Sequence, residues 1–178
     1  MNEVATRALQ GDRDAFGELY DVLIDPLSRY LYPMTGSKDM TMDIIHDVFV
    51  RLWENRHKII IKGSAQALIY TMARNHAINV LKRSNRSIST DFESWQPSFE
   101  HHSLQPDAAG TEFARVLNTW IQELPPRRSE AFMLSRFHDL SHAQIGLVMN
   151  LSERTVDTHI QHALRDLRER VTRLEAES

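Results

Sequence analysis

The stretch SHAQIGLVMNLSERTVDTHIQHALRDL, Ser141 to Leu167, decides the fold. Ser141 and Gln144, three apart, are the two ends of a capping box and predict a helix start. Ala143, Ile145, Val148 and Met149 supply a short apolar face. Asn150 stands where a tight inter-helix turn requires a left-handed backbone, which Gly takes most readily and Asn next. Leu151 can plug the gap between helices, and Ser152 is placed to cap a second helix. That helix turns Val156, Ile160, Ala163, Leu164, Leu167 and Val171 inward. Arg154, Thr155, Asp157, Thr158, Gln161, His162 and Arg165 are left on its exposed side. A short helix, a capped turn and a longer polar-faced helix form the arrangement that lays a second helix in a DNA major groove. Two merely packed helices share this pattern, and Asp157 would repel a phosphate while able to accept from a cytosine amino group.

Working outward, almost every other segment carries a three- to four-residue apolar period. Phe16, Leu19, Tyr20, Leu23, Leu27, Tyr30 and Leu31 make one stripe, which Pro33 and Gly36 are expected to close. Ile44, Ile45, Val48, Phe49, Leu52 and Trp53 make the next, with Asp43, His46, Asp47, Arg51 and Glu54 on its charged face. Lys62-Gly63-Ser64 breaks the chain before a third helix from about Ala65 to Arg83. Ile69, Met72, Ala73, His76 and Val80 are expected on its inner side. Thr71, Arg74, Asn75, Asn79 and Lys82 are expected on its outer arc. Phe113, Val116, Leu117, Trp120, Ile121 and Leu124 then open a second helical region. Pro125-Pro126 ends one helix and can start another. The expected class is all-α, in two small helical domains, 1–86 and 111–178. The polar segment 87–110 between them reads as a linker.

Charge is distributed unevenly. The 178 residues carry 21 Lys and Arg against 24 Asp and Glu, a net charge of −3, which argues against coating nucleic acid unaided. Yet Asn55 to Thr90 contains no acid while Arg56, Lys58, Lys62, Arg74, Lys82, Arg83 and Arg86 are all basic. Such a one-signed stretch in an acidic chain suits a polyanion; the alternative is a solvated face that happens to lack acids.

Composition excludes several classes. Apolar residues at 42% and charged residues at 25% are the balance of a folded chain. The absence of Cys removes disulfide scaffolds, thiol catalysis and Cys-based zinc sites. His138/His142 and His159/His162 lie at helical spacing, but a structural zinc site takes four ligands, so no metal and no cofactor is expected. The carboxylate pairs Asp12/Asp14 and Asp43/Asp47 have no nucleophile motif or phosphate loop beside them, so neither an enzyme nor a small-molecule substrate is expected. The N-terminal MNEVATRALQGDRDAF has no apolar signal region, and the expected location is cytoplasmic.

Taken together these segments resemble the sigma-70 family of bacterial transcription initiation factors, in particular its small extracytoplasmic-function (ECF) group. DIIHDVFVRLWE (Asp43 to Glu54) is similar to the family's core-polymerase-binding helix, although His46 stands where glutamine is common. LIYTMARNHAINVLKR (Leu68 to Arg83) resembles the helix that melts and reads the minus-ten element. Leu124 to Glu169 resembles the domain that reads the minus-thirty-five element. The resemblance implies that Asp43, His46, Asp47 and Arg51 dock on the β′ clamp helices of core RNA polymerase, with the β subunit as a further contact. It implies that the loop Ile60 to Ala67 holds an extruded promoter base, with Lys62, Gly63 and Ser64 among the minus-ten contacts. Thr71, Arg74, Asn75, Asn79, Lys82 and Arg83 would contact the opened strand. Arg154, Thr155, Asp157, Thr158, Gln161, His162 and Arg165 would read the upstream element. It further implies an anti-sigma factor as partner, of a kind often anchored in a membrane, and a linker that threads toward the polymerase cleft. A flexible tether is equally compatible with that linker. Two alternatives remain: a stand-alone dimeric helix-turn-helix regulator of duplex DNA, and a polymerase-binding inhibitor without DNA reading.

Overall fold

A computed structural model describes residues 1–61, 63–84 and 112–176. The expected linker 87–110 and Lys62 lie outside these residues. Eight α-helices and no strand occur among the described residues. None of these helices is long and apolar enough to cross a membrane. The chain divides into two compact units at residues 88–89.

The first unit holds α1 (Asn2–Leu9), α2 (Arg13–Thr35), α3 (Lys38–Glu54), a 3-10 turn (Arg56–Lys58) and α4 (Ala65–Ser84). Asp12 starts α2, its carboxylate accepting from the N–H groups of Asp14 and Ala15. Gly36, at φ 63°, ends it in the left-handed conformation. Pro33 does not close this helix as expected. The ring is buried and α2 continues to Thr35, so burial outweighs the missing backbone hydrogen bond. Leu19, Leu23, Leu27 and Leu31, one every fourth residue of α2, meet Ile44, Ile45, Val48 and Leu52 of α3 and Ile69, Tyr70, Ala73 and Ala77 of α4 in the core. Each large apolar side chain so buried contributes about 1.5–3 kcal/mol. Helix α1, not anticipated from the sequence, packs on α2 and α4 through Ala5 and Ala8.

The second unit holds α5 (Glu112–Gln122), α6 (Pro126–Phe137), α7 (His142–Met149) and α8 (Glu153–Ala176). Ile121, Leu124, Phe132, Ala163 and Leu167 form one core cluster, with Leu117, Trp120, Met133, Phe137 and Leu164 around it. Phe113, expected in the apolar stripe, is largely exposed. Pro126 is the first residue of α6, where its missing N–H is needed by no partner. The capping box is formed: Gln144 N–H donates to Ser141 Oγ at 3.3 Å and Ser141 N–H to Gln144 Oε1 at 2.7 Å. Asn150 takes φ 55° and ψ 49°. The helix-turn-helix thus closes through the devices read from its sequence.

Candidate nucleic-acid and docking surfaces

On α3, residues 43, 47 and 51 share one face at four-residue spacing, and residue 46 lies beside them. All four side chains are exposed. Two of them are held from behind. His46 Nε2 is hydrogen-bonded to the Tyr20 hydroxyl at 2.8 Å, with the rings stacked. Asp47 is 61% exposed, yet its Oδ2 lies 2.9 Å from Nε2 of the buried His76 on α4. A buried imidazole without a partner would pay its full desolvation cost, so Asp47 satisfies His76 as well as facing outward. Beside this face an open apolar groove runs between α2 and α3, lined by Phe16, Tyr20, Phe49, Val50 and Trp53, with Arg13 and Glu54 at its edges. Val50, 54% exposed, sits in it. Arg56 lies over the Trp53 ring at 4.4 Å and donates to the Trp53 carbonyl at 2.7 Å. That cation is committed to the protein.

Helix α4 presents a narrower outer arc than expected. Asn75, Asn79, Lys82 and Arg83 are exposed, at spacings that make one continuous face. Arg74 is a correction: it is only 8% exposed and engaged within the protein. It follows Tyr70 by four residues and precedes Ala77 by three, which places it on the buried side. Thr71 is also partly spent, half-buried with its hydroxyl donating to the Ala67 carbonyl at 2.7 Å. Ahead of α4, Gly63 takes φ 94°, a conformation that favours glycine. Ser64 Oγ accepts from Ala67 N–H at 3.2 Å. The Asn2 side chain reaches this segment twice, donating from Nδ2 to the Gly63 carbonyl at 2.9 Å and accepting at Oδ1 from Ala65 N–H at 3.0 Å.

Along α8, Arg154, Thr158, Gln161 and Arg165 are exposed, whereas Thr155, Asp157 and His162 are half-buried. Thr155 belongs to the cap, its N–H donating to Ser152 Oγ at 3.1 Å and the two hydroxyls 2.7 Å apart. Asp157 Oδ2 accepts from Gln161 Nε2 at 2.7 Å, and its other oxygen lies 3.5 Å from His142 Nδ1. The carboxylate therefore belongs to a polar cluster instead of standing alone against a phosphate. His159 is held below its ordinary pKa of 6.5, first by burial and then by the cations Arg127 and Arg128. Arg128 pairs with Asp166 at 2.8 Å and Arg170 with Glu123, tying α8 to α6 and to the end of α5. Among the described residues no three His, Asp or Glu side chains are grouped to hold a metal.

Three structural features escaped the sequence reading. Asn2 and the His76–Asp47 pair join positions 61, 63 and 29 residues apart, beyond any local pattern. Gly146 did leave a signal: a glycine inside a helix costs about 1 kcal/mol against alanine and so marks a close approach. A Cβ there would stand 2.8 Å from the Leu151 carbonyl oxygen.

Residues 19–87 match the family model for sigma-70 region 2, and residues 115–167 match that for sigma-70 region 4. Among curated relatives, the ECF RNA polymerase sigma factor SigW of Bacillus subtilis is 24% identical, over 91% of this chain and 91% of its own length. The ECF RNA polymerase sigma factor BldN of Streptomyces coelicolor is 28% identical, over 94% of this chain and 64% of its own. Among solved structures, CnrH in complex with the cytosolic domain of CnrY is similar in fold, with a TM-score of 0.66 at 20% identity. That match covers 98% of this chain and 97% of CnrH. The sigma factor RpoE of Bartonella quintana, in complex with the anti-sigma factor NepR, gives 0.65 at 15%, over 88% and 96% of the two chains. With the two family models falling in chain order on the two helical units, this chain belongs to the sigma-70 family, in its ECF group.

Proposed function

We propose that this protein is a promoter-specificity subunit that binds core RNA polymerase, directs it to particular promoters and opens the DNA. The observation that carries this reading is the exposed, acid-free face of Asn75, Asn79, Lys82 and Arg83 in the same unit as the charged face of α3. On this reading Asp43, His46, Asp47 and Arg51 dock on the β′ clamp helices, and the aromatic groove beside them extends that surface. Asn75 and Asn79 offer amide donors and acceptors to unstacked bases, while Lys82 and Arg83 supply phosphate contacts. Lys62, Gly63 and Ser64 receive a base extruded from the stack. Extrusion costs a few kcal/mol, which contacts in the loop must return. In the second unit Arg154, Thr158, Gln161 and Arg165 read the upstream duplex, with Asp157 and His162 at the edge of that surface.

The domain roles follow: 1–86 for polymerase and minus-ten recognition, 87–110 as linker, 111–178 for minus-thirty-five recognition. Net charge fits this division of labour, because two linked weak DNA contacts and the polymerase together supply affinity that neither domain needs alone. No nucleotide hydrolysis is required, since the energy of opening comes from binding. CnrH and RpoE are each seen with a protein partner, NepR being an anti-sigma factor. By analogy an anti-sigma factor holds this protein inactive until a signal releases it, whether or not that partner is anchored in a membrane. The site of action is where polymerase and chromosome are, the cytoplasm.

Run-off transcription with bacterial core polymerase, on DNA from upstream of this protein's own gene, tests the reading. Transcripts with a defined start that require the protein support it. Tight duplex binding without polymerase and no transcript would make the protein a stand-alone regulator instead. Polymerase binding with no start on any promoter would make it an inhibitor.

A further inference from the structure

The side chain of Asn2 is placed like a missing piece of backbone. Its amide donates to the Gly63 carbonyl at 2.9 Å and accepts from Ala65 N–H at 3.0 Å, grasping the chain on both sides of Ser64. The Ala65 N–H opens α4 and is one of the donors that a helix start leaves without an intrahelical partner. Ser64 Oγ satisfies the Ala67 N–H two residues on. The two side chains divide the capping work, and Asn2 does its part from another helix. Its own backbone is fixed: the Asn2 carbonyl accepts from Thr6 Oγ1, and the Met1 carbonyl accepts from Ala5 N–H. Ala5 and Ala8 are buried, and Arg7 pairs with Asp12 at the far end of α1. Asn2 is therefore carried on an anchored element, whereas the segment it holds contains a glycine at φ 94° and an exposed turn.

The geometry points to Asn2 as the positioning residue for the Gly63–Ala65 segment, and through it for discrimination of the extruded promoter base. This rests on the proposed function, in which that segment receives the base. Selectivity for one base requires donors and acceptors held in place before the base arrives, and a loop pinned at two backbone groups meets that requirement. Asn2 contacts no DNA itself. It acts through the carbonyl direction at Gly63 and the start of α4.

The test uses the full chain bound to core polymerase and fluorescent single-stranded minus-ten DNA, with each of the four bases at the extruded position. Asn2→Ala removes both hydrogen bonds. Asn2→Asp keeps the acceptor for Ala65 N–H and sets an oxygen against the Gly63 carbonyl, with almost no change of shape. Arg7→Ala is the control, loosening α1 without touching the segment. Both Asn2 variants are expected to reduce the preference for the favoured base by about fivefold, the factor that one hydrogen bond supplies. Binding to core polymerase is expected to stay within about twofold, a difference well below one hydrogen bond. Arg7→Ala is expected to lower Tm and leave base preference unchanged. An unchanged preference in both Asn2 variants overturns the inference, as does an equal loss in Arg7→Ala, which would make the effect one of general stability. Failure of the functional reading is distinct: the unaltered protein would then show no polymerase-dependent binding to the strand.

Discussion

Replacing Gly146 by alanine sets two known effects against each other, and the structure decides between them. In an ordinary helix interior the change stabilises by about 1 kcal/mol, because alanine has less backbone freedom to lose. Here the new Cβ would lie 2.8 Å from the Leu151 carbonyl oxygen and 3.7 Å from Glu153 N. A relaxed carbon–oxygen contact is about 3.3–3.6 Å, so the turn must retreat by about half an ångström or more. It cannot do so freely, because the Asn150 and Leu151 N–H groups both donate to the Gly146 carbonyl, the second at 2.9 Å. Overpacking against such a fixed neighbour costs about 1–3 kcal/mol. With the propensity gain of about 1 kcal/mol subtracted, the expected net loss is about 0–2 kcal/mol. Urea unfolding followed by Trp120 fluorescence, in a Trp53→Phe, Trp95→Phe background, reports on the second unit. Binding to the upstream duplex should weaken as well, since the displaced turn carries the start of α8 and Arg154. A variant more stable than the parent by about 1 kcal/mol, the gain of an ordinary helix interior, would refute the close-approach argument.

Asp47→Ala strands the buried His76 ring and should cost about 1–3 kcal/mol in urea unfolding, while His76→Leu, alone or combined, costs less; strictly additive losses would show that the pair is not coupled. Asn75→Ala and Asn79→Ala should each lower run-off transcription about tenfold, with core binding unchanged, as expected for amide contacts to bases. Lys82→Ala should weaken strand binding for every sequence and make the slope of log affinity against log salt shallower by about 0.7, the share of one neutralised phosphate on a single strand; a sequence-selective effect would contradict a phosphate role. His159 is held below 6.5 by burial and by Arg127 and Arg128, so the unfolded chain takes up that proton first as pH falls. The stability due to a neutral His159 is present above the unfolded pKa and is lost as pH drops through the depressed folded value. A urea titration below pH 6.5 should show the second unit weakening, less steeply in His159→Gln, and equal slopes would contradict this assignment.

Sequence alone determined what short-range physics controls. The helices α2, α3, α7 and α8 follow from apolar spacing and from caps whose partners lie within three residues, as in Ser141/Gln144 and Ser152/Thr155. The left-handed Asn150 follows from the same local rule. Helix α1 escaped because its buried residues are two alanines, too small to mark a face. Orientation was legible where a helix has large apolar residues on one side. On α4 the inner face is largely alanine, at Ala65, Ala67, Ala73 and Ala77, so the wheel was weakly marked and Arg74 was assigned to the wrong side.

What tertiary structure decided is which of the exposed-looking polar groups remain free. Arg56 is taken by Trp53, Asp47 is shared with His76, Asp157 is engaged by Gln161, and Asn2 is committed to Gly63 and Ala65. The same residue types at the same spacings could have faced solvent. A hydrogen bond joining residues 29 or 61 apart leaves no periodic trace in the chain, because its geometry exists only after the helices have packed.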